Sequence, residues 1–323
     1  MKKVMLASMT VSALALMSGA AAAQQKTISV VVKDTTSPYW QTVMAGACVA
    51  GKDLGVTVNV TGPQSEADVN GQIGILENAV STGSSAVVLA PTSFEALGPA
   101  VDEAAAKVPV FLIDSKAKSE AYTSILATDN KAGGMLAGKA MAEALTKKNG
   151  TAKGSVGVIS YGAGASTLDE RIAGFTEGLA AYPDIKVVTK RVGDFQTTTA
   201  LNDTNDVLTA FPKIDGLYGD ALFTGLGAGQ AISESSRKGN PVLVTFDSSD
   251  TLEQYIRDGV AQALVVQNPY KMGYDGVENA VKALKGEKLP KFIDTGVMVI
   301  TPDNVGSPEA QALLHPDVSC LKK

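Results

Sequence analysis

Residues 108–115 read VPVFLIDS, and residues 240–248 repeat the pattern as NPVLVTFDS. In each stretch a proline near the start is followed by an apolar run and then by Asp-Ser. Apolar runs without alternation are typical of parallel sheets, because helices cover both faces of such a sheet. Each stretch also comes fourth in a set of four strand–helix units. We therefore interpret the chain as two similar halves; the alternative is that any two buried strands look alike.

Seven further apolar runs have the same character, at residues 28–33, 56–61, 86–91, 155–160, 185–191, 214–220 and 263–267. Helical segments separate the runs: Ser37 and Pro38 predict the start of the first helix, and Gly55 predicts its end. Further helices are predicted at about 66–82, 93–107, 130–148, 166–181, 197–210, 222–237, 250–258 and 270–285. Strands that alternate with helices indicate an α/β fold with two doubly wound parallel sheets, which are Rossmann-like.

Several of the predicted strands end in a polar residue: Lys33, Asp114, Asp220, Asp247 and Gln267. In an open α/β sheet, ligands bind at the carboxyl ends of the strands. Two sheets whose strand ends face each other would therefore form a cleft between two lobes, and we expect a ligand site in that cleft.

The N-terminal 23 residues have the pattern of a signal peptide. Lys2 and Lys3 precede an apolar stretch at residues 4–17, and three alanines at 21–23 fit a cleavage site before Gln24. The apolar stretch is shorter than the roughly 20 residues that a membrane-spanning helix needs. We therefore expect export and cleavage. No cysteine lies near the cleavage point, which disfavours a lipid anchor.

Composition and motifs argue against several functions. Loss of Lys2 and Lys3 lowers the formal charge of −5 by two, to −7, which disfavours nucleic-acid binding. His315 is the one histidine, and no Cys/His pattern has zinc spacing, so we expect no metal, no cofactor and no nucleophilic catalysis. Paired aspartates of a glycosidase remain as an enzymatic alternative. The glycines at 225, 227 and 229 lie inside a predicted helix, where close packing explains them better than a dinucleotide loop.

The two cysteines, Cys48 and Cys320, both follow the cleavage point. An oxidising compartment would permit a disulfide between them, which would tie the first helix to the C-terminal tail. Two separate buried thiols are the alternative.

The chain resembles a known family, the periplasmic sugar-binding proteins of ATP-driven (ABC) importers, in the ribose- and galactose-binding class. The resemblance covers nearly the whole mature chain. Its motifs are VVVKDTTSPYW at 30–40, APT at 90–92, IDS at 113–115, TDN at 128–130 with GG at 133–134, DER at 169–171 with GF at 174–175, GDF at 193–195, FD at 246–247, Gln267 and KGE at 285–287.

The resemblance implies a type I binding protein whose two lobes close on a ligand around a three-segment hinge near Asp129, Gln267 and Asp294. It predicts an N-terminal lobe of 26–128 plus 268–294 and a C-terminal lobe of 129–267 plus 295–323. It also implies a monomer in the periplasm of a Gram-negative cell, with an inner-membrane ABC permease as partner, and it leaves a chemoreceptor open as a second partner. The related DNA-binding repressors would need a DNA-binding segment where this chain has its signal peptide.

The resemblance also assigns ligand contacts. Tyr39 and Trp40 match stacking aromatics, although Trp40 could pack in the core instead. Phe195 matches a further stacking position or else seals a loop. The remaining predicted contacts are Lys33, Ser37, Thr92, Asp114, Ser115, Asp169, Arg171, Asp220, Ala221, Asp247 and Gln267.

The polar contacts leave two alternatives open. Asp114 and Asp247 match acidic acceptors of sugar hydroxyls, but an aspartate at a strand end could equally cap a helix. Lys33 could donate to a ligand oxygen or pair with an aspartate.

Three positions depart from the ribose-binding pattern. Ser115 and Asp169 stand where that class has arginines, and Ala221 stands where it has an asparagine. These differences disfavour ribose and favour another neutral sugar or polyol. Together with Lys33 and Asp114, Asp169 and Ala221 are similar to autoinducer-2 receptors, although Glu170 and Gly219 depart from that pattern. An autoinducer-2 receptor is therefore the alternative, and a secreted carbohydrate-active enzyme is a distant one.

Overall fold

The computed structural model describes residues 26–163, 165–235 and 237–321, so the predicted signal peptide lies outside the described residues. Twelve strands are present in this part of the chain: β1 (Thr27–Val31), β2 (Thr57–Thr61), β3 (Ala86–Leu89), β4 (Val110–Ile113), β5 (Ser124–Ala127), β6 (Gly154–Ser160), β7 (Ile185–Val192), β8 (Gly216–Gly219), β9 (Val242–Phe246), β10 (Ala263–Gln267), β11 (Phe292–Asp294) and β12 (Val297–Ile300). They form two sheets of six strands each.

The helices of the described residues are α1 (Pro38–Leu54), α2 (Val69–Ser81), α3 (Phe94–Ala105), α4 (Asn130–Asn149), α5 (Ser166–Gly178), α6 (Thr197–Ala210), α7 (Leu222–Glu234), α8 (Asp250–Asp258), α9 (Pro269–Leu284) and α10 (Pro308–Leu314), followed by a 3-10 turn (Ser319–Leu321). Among these described helices, none has the length and apolar character needed to cross a membrane.

The two sheets have matching topologies. The strand order is β11-β5-β4-β3-β1-β2 in the first sheet and β12-β10-β9-β8-β6-β7 in the second. All neighbours pair in parallel, except that β12 runs antiparallel to β10. We call the first sheet with α1, α2, α3 and α9 the first lobe, and the second sheet with α4 to α8 and α10 the second lobe. The predicted fold class is confirmed.

The chain passes between the two sheets three times. These passages lie between β5 and α4, between β10 and α9, and between β11 and β12. They coincide with the three segments that the resemblance implied as a hinge. The residue boundaries predicted for the lobes stay a prediction.

Each of the nine predicted strands is present; the central strands, such as β3, β4, β9 and β10, are fully buried Val-, Ile- or Leu-rich runs, whereas the edge strands β2 and β7 are largely exposed. Sequence analysis missed β5, β11, β12 and α10. β11 is three residues long and half exposed, with Phe292 44 % exposed, so it lacks the continuous apolar signal of a central strand. Ser37 and Gly55 do flank α1 as predicted, and Gly55 has a φ of 64°, the left-handed conformation that glycine adopts easily.

Glycines let helices approach closely in both lobes. A Cβ at Gly46 of α1 would overlap the carbonyl oxygen of Tyr270, and one at Gly273 of α9 would overlap that of Val43. In the second lobe, Gly134 and Gly174 play the same part between α4 and α5. The glycines at 225, 227 and 229 lie within α7, where added side chains would collide with neighbours, so the packing interpretation is correct.

A disulfide joins Cys48 of α1 to Cys320. The segment before Cys320 is held by the second lobe, because His315 Nε2 lies 2.7 Å from Glu253 Oε2 of α8. Residues 315–320, which we call the C-terminal strap, therefore run from the second lobe to the first. The strap is a fourth covalent link between lobes that already share three chain passages.

Candidate functional site

A cavity lies between the carboxyl ends of the two sets of strands. It is lined by Lys33, Ser37, Tyr39, Trp40, Glu66, Asp114, Tyr161, Ala165, Thr167, Leu168, Arg171, Phe195, Ala221, Leu222, Phe223, Asp247 and Gln267. Both lobes contribute to it, since Lys33 and Asp114 follow strands of the first sheet while Tyr161 and Asp247 follow strands of the second. This is the position that the strand-end argument predicts for a ligand.

The backbone takes an unusual conformation at three residues of this cavity. Asp114, Phe195 and Asp247 have φ values of 64°, 65° and 66°, and they are the non-glycine residues with positive φ in the described part of the chain. Such conformations are uncommon outside glycine and concentrate at functional sites. The repeated Asp-Ser pattern therefore gives the same backbone conformation in both lobes, and both aspartates line the cavity.

Asp114 is the centre of a buried network in the first lobe. Its Oδ2 lies 2.7 Å from Lys33 Nζ and accepts a hydrogen bond from Ser115 Oγ at 2.6 Å, while its Oδ1 accepts one from the Tyr39 hydroxyl at 2.9 Å. Burial opposes ionisation, but the Lys33 ammonium outweighs it and lowers the pKa of Asp114 below its ordinary value. Of the two roles left open for Lys33, pairing with an aspartate is therefore observed, at the wall of the cavity.

Asp247 holds the matching place in the second lobe. Its Oδ1 accepts a 2.6 Å hydrogen bond from Gln267 Nε2, and its Oδ2 accepts one of 3.0 Å from the backbone N–H of Leu222. Arg171 Nη1 lies 3.9 Å from the same Oδ2. Burial raises the pKa of Asp247, and Arg171 only partly offsets that effect. Asp247 thus caps the first turn of α7, whereas the helix that follows it in sequence, α8, is capped by Ser249.

Arg171 is fixed by contacts other than the ion pair. Its Nε donates to Asn130 Oδ1 at 2.8 Å, its Nη1 donates to the Asp220 carbonyl oxygen at 2.9 Å, and its guanidinium lies 4.1 Å from the centre of the Phe246 ring. A guanidinium held this way keeps its remaining donors at a set position on the cavity wall.

Aromatic rings border the cavity from both lobes. In the first lobe, Tyr39 and Trp40 pack edge to face with ring centres 4.9 Å apart. In the second lobe, Tyr161 packs edge to face with Phe195 at 5.2 Å and stacks on Phe223 at 5.0 Å. Apolar faces of this kind cover the flat faces of a sugar ring, while the charged network can serve its hydroxyls.

Trp40 and Phe195 each have both of the roles that the sequence left open for them. Trp40 is only 2 % exposed and belongs to the core of the first lobe, yet it also lines the cavity. Phe195 lines the cavity and also closes its loop, because a side chain at Gly162 would collide with its ring.

Ten of the predicted contacts are brought together at this cavity: Lys33, Ser37, Tyr39, Trp40, Asp114, Arg171, Phe195, Ala221, Asp247 and Gln267. Their contact with a ligand stays a prediction.

Four predicted contacts lie outside the lining. The backbone N–H and the hydroxyl of Thr92 both donate hydrogen bonds to Gln72 Oε1, each at 2.9 Å. Ser115 lies behind Lys33, and Asp220 is fully buried behind Arg171. Asp169 is exposed on α5.

Sequence analysis missed seven lining residues: Glu66, Tyr161, Ala165, Thr167, Leu168, Leu222 and Phe223. Tyr161 directly follows β6, so the strand-end rule could have found it. Glu66 lies in the loop between β2 and α2, where no periodic signal exists. Among the described residues, no cluster of His, Cys, Asp and Glu could hold a metal ion.

Comparisons with known proteins agree with this geometry. A family model described as a periplasmic binding protein domain matches residues 28–288. The chain is 31 % identical over 283 residues to the ribose import binding protein RbsB of Salmonella typhimurium, covering 86 % of this chain and 92 % of that protein.

Two solved structures are also similar. One is a carbohydrate transporter solute binding protein from Agrobacterium radiobacter in complex with D-arabinose, at 45 % identity and a TM-score of 0.88, covering 91 % of this chain and 100 % of that one. The other is an ABC transporter solute binding protein from Agrobacterium vitis with bound D-fucose, at 41 % identity and a TM-score of 0.82, covering 90 % and 100 %.

Proposed function

This chain belongs to the periplasmic binding protein family, and from that premise we propose that its cavity captures a neutral sugar and delivers it to the permease of an ABC importer. Members of the family are binding proteins for transport, so the protein is not an enzyme. The observation that carries the proposal is a cavity in which two buried ion pairs face each other between aromatic walls.

The charges of the cavity favour an uncharged ligand. Lys33 already pairs with Asp114, and Arg171 lies near Asp247, so neither cation is left free for a phosphate or a carboxylate of the ligand. An anionic ligand would add a buried charge without a partner, which is costly. Hydroxyl groups can instead share these charged groups through charge-assisted hydrogen bonds.

We propose a pentose or a 6-deoxyhexose as the ligand class. The solved relatives hold D-arabinose and D-fucose, and neither of these sugars has a hydroxyl at C6. In the present cavity, Ala165, Leu168 and Leu222 supply an apolar part of the wall that suits a methylene or methyl group. None of the observations favours an autoinducer-2 ligand or a catalytic role.

The proposed mechanism is reversible closure. Ligand-free protein would open at the segments near Asp129, Gln267 and Asp294, with lobes of 26–128 plus 268–294 and 129–267 plus 295–323. A sugar that contacts both lobes shifts the population toward the closed form, because it interacts more strongly with that form. The closed form then presents both lobes to the permease, and no covalent bond is made or broken.

We further propose that residues 1–23 are a cleaved signal peptide and that the mature protein is a monomer in the periplasm of a Gram-negative cell. N-terminal sequencing of protein from an osmotic-shock fraction should begin at Gln24. Size-exclusion chromatography with light scattering should give the mass of one chain. A capillary assay with the ligand would test a chemoreceptor as second partner.

The decisive experiment is a thermal-shift and calorimetry panel on refolded, ligand-free protein. It contains D-arabinose, D-fucose, D-ribose, D-galactose, xylitol, autoinducer-2 and ribose 5-phosphate. A ligand at a hundred times its dissociation constant adds about 2.7 kcal/mol of stability, which is readily seen as a rise in melting temperature. We expect a rise with a neutral pentose or 6-deoxyhexose and none with the phosphate. Binding of the phosphate or of autoinducer-2 alone would overturn the proposal.

A further inference from the structure

Glu66 brings a third carboxylate to the cavity, beyond Asp114 and Asp247. It lies in the loop between β2 and α2 of the first lobe. Its Oε1 accepts a hydrogen bond of 2.7 Å from Trp40 Nε1. Within the described residues Trp40 is the one hydrogen-bond partner of the Glu66 side chain, so Oε2 accepts no hydrogen bond from them.

The charge balance of the cavity leaves this carboxylate in excess. Lys33 Nζ is 2.7 Å from Asp114, and Arg171 Nη1 is 3.9 Å from Asp247. No lysine or arginine of the described chain lies within ion-pair distance of Glu66. Burial raises the pKa of Glu66, with Lys33 and the Trp40 N–H opposing that rise. A carboxylate oxygen without a protein donor, Glu66 Oε2, is therefore held at the wall of a cavity whose proposed ligand is rich in hydroxyl donors.

Glu66 and Tyr161 line the same cavity from different lobes. The charge of Glu66 is the main electrostatic contribution that raises the pKa of Tyr161, after burial of that phenol. Tyr161 belongs to the aromatic group of the second lobe, so the Glu66 carboxylate, which is bonded to Trp40 in the first lobe, shares the cavity with the aromatic groups of both lobes. A sugar held between those walls would present its edge, where the hydroxyls are, to the carboxylate.

We propose that Glu66 Oε2 accepts a hydrogen bond from one hydroxyl of the bound sugar and makes Glu66 a specificity-determining residue, an inference that rests on the proposed function. The two oxygens of the carboxylate then have different roles: Oε1 accepts the hydrogen bond that fixes the Trp40 ring, and Oε2 is left for the ligand. The same side chain thereby couples the stacking surface to the selection of one hydroxyl. A site built to bind a hydroxyl in this way rejects analogues that lack it.

The test is a ligand-by-variant cycle measured by calorimetry. Wild type, Glu66→Gln and Glu66→Ala are titrated with D-arabinose, D-fucose and each of their monodeoxy derivatives at ring positions. Glu66→Gln keeps an oxygen that can accept from Trp40 but removes the charge. Glu77→Gln on the exposed face of α2 makes the same charge change away from the cavity and serves as the matched control.

We expect Glu66→Ala to weaken binding of the parent sugar by about 10- to 100-fold, the usual range for a hydrogen bond to a charged group. For one of the deoxy derivatives, the wild type should bind more weakly than it binds the parent sugar, by a factor of similar size. In Glu66→Ala, the affinities for that derivative and for the parent sugar should be nearly equal. Glu66→Gln should bind more weakly than the wild type and show a smaller loss at that position. Glu77→Gln should bind like the wild type.

A purely structural role for Glu66 gives a different result. If Glu66 only holds Trp40, its variants weaken the parent sugar and every deoxy derivative by the same factor, and this outcome overturns the inference. Melting curves without ligand show whether each variant is folded, and Glu66→Gln carries the test if Glu66→Ala is not. Failure of the wild type to bind either sugar overturns the proposed ligand class together with this inference, whereas binding without coupling overturns the role of Glu66 alone.

Discussion

Lys116 Nζ of the first lobe lies 2.9 Å from Glu170 Oε1 on α5 of the second lobe, beside the cavity. Lys116 follows β4 and the Asp114 turn, so this ion pair joins the two lobes close to the ligand cavity. Both side chains are well exposed, at 47 % and 36 %. Water screens such an exposed pair, so in the proposed mechanism it would form when the lobes close and would oppose their opening only weakly.

Removal of the Lys116–Glu170 pair should loosen closure slightly. Exposed ion pairs contribute about 0–1 kcal/mol, so Lys116→Ala and Glu170→Ala should each weaken sugar binding by no more than about fivefold. A double-mutant cycle on the affinities should show coupling at 50 mM salt that declines at 500 mM. Coupling that is independent of salt would contradict this account of the contact.

Asp247→Asn should weaken ligand binding strongly while leaving the protein folded. The amide keeps the shape of the carboxylate, but it loses the charge beside Arg171 and one of the acceptors now used by Gln267 and Leu222. A charged hydrogen-bond group contributes about 1.5–3 kcal/mol, so we expect a loss of roughly 10- to 150-fold in affinity by calorimetry. Far-ultraviolet circular dichroism provides the control for folding. Near-native affinity would remove Asp247 from the set of ligand contacts.

Asp220→Asn should make the protein more stable at neutral pH. Burial raises the pKa of Asp220 from 3.8 to about 6, with its bonds to Ser160 and Tyr161 and the Arg171 charge opposing the rise. Between those values the folded state binds more protons than the unfolded state, so the stability contributed by this group is complete below about pH 4 and declines as the pH rises to 6.

Urea unfolding at pH 4 to 8 measures this effect. The free energy of unfolding of Asp220→Asn relative to wild type should rise by up to about 3 kcal/mol between pH 4 and pH 7, since one pKa unit corresponds to 1.36 kcal/mol. Asp169→Asn on α5, where the carboxylate is exposed, is the matched control and should show no such rise. A flat difference for Asp220→Asn would mean that its carboxylate is as well solvated in the folded protein as in the unfolded one.

Replacement of Cys48 and Cys320 by serine should lower stability and widen the opening of the cleft. A native disulfide typically contributes about 2–5 kcal/mol. The five Cα steps of the C-terminal strap reach at most roughly 18 Å, which limits the separation of the lobes on that side. In small-angle scattering, the ligand-free variant should have a larger radius of gyration than the wild type, and the two should agree with ligand bound. Equal radii without ligand would show that the strap has slack throughout the motion.

The central strands were predictable because burial on both faces leaves an uninterrupted apolar signal, as in 108–115 and 240–248. The strand ends were predictable for the same reason, and they led to Lys33, Asp114, Asp247 and Gln267. The strands β5, β11 and β12 carry little of that signal, because each is only three or four residues long and is flanked by polar residues.

The remaining part of the cavity depends on facts that one sequence does not contain. On α5, Thr167, Leu168 and Arg171 share the face toward the cavity, whereas Asp169 points elsewhere, and only the rotation of the helix on its sheet decides between them. Glu66 reaches the cavity because of the path of the loop between β2 and α2, which no periodic pattern predicts. The pairing of Cys48 with Cys320 could not be decided without the distance between them, and the structure gives a Cα separation of 6.1 Å.

The disulfide has a consequence for the integrity of the molecule. Because Cys48 precedes all three passages between the lobes and Cys320 follows them, the chain between the two cysteines is a closed covalent ring. A protease that cuts one exposed loop anywhere in that ring leaves a single molecule, whose two new ends stay tethered on either side of the cut. Damage that would separate the halves of an open chain thus produces a nicked protein that stays in one piece under non-reducing conditions, heavier only by the water added at the cut, with both lobes still held at the cavity.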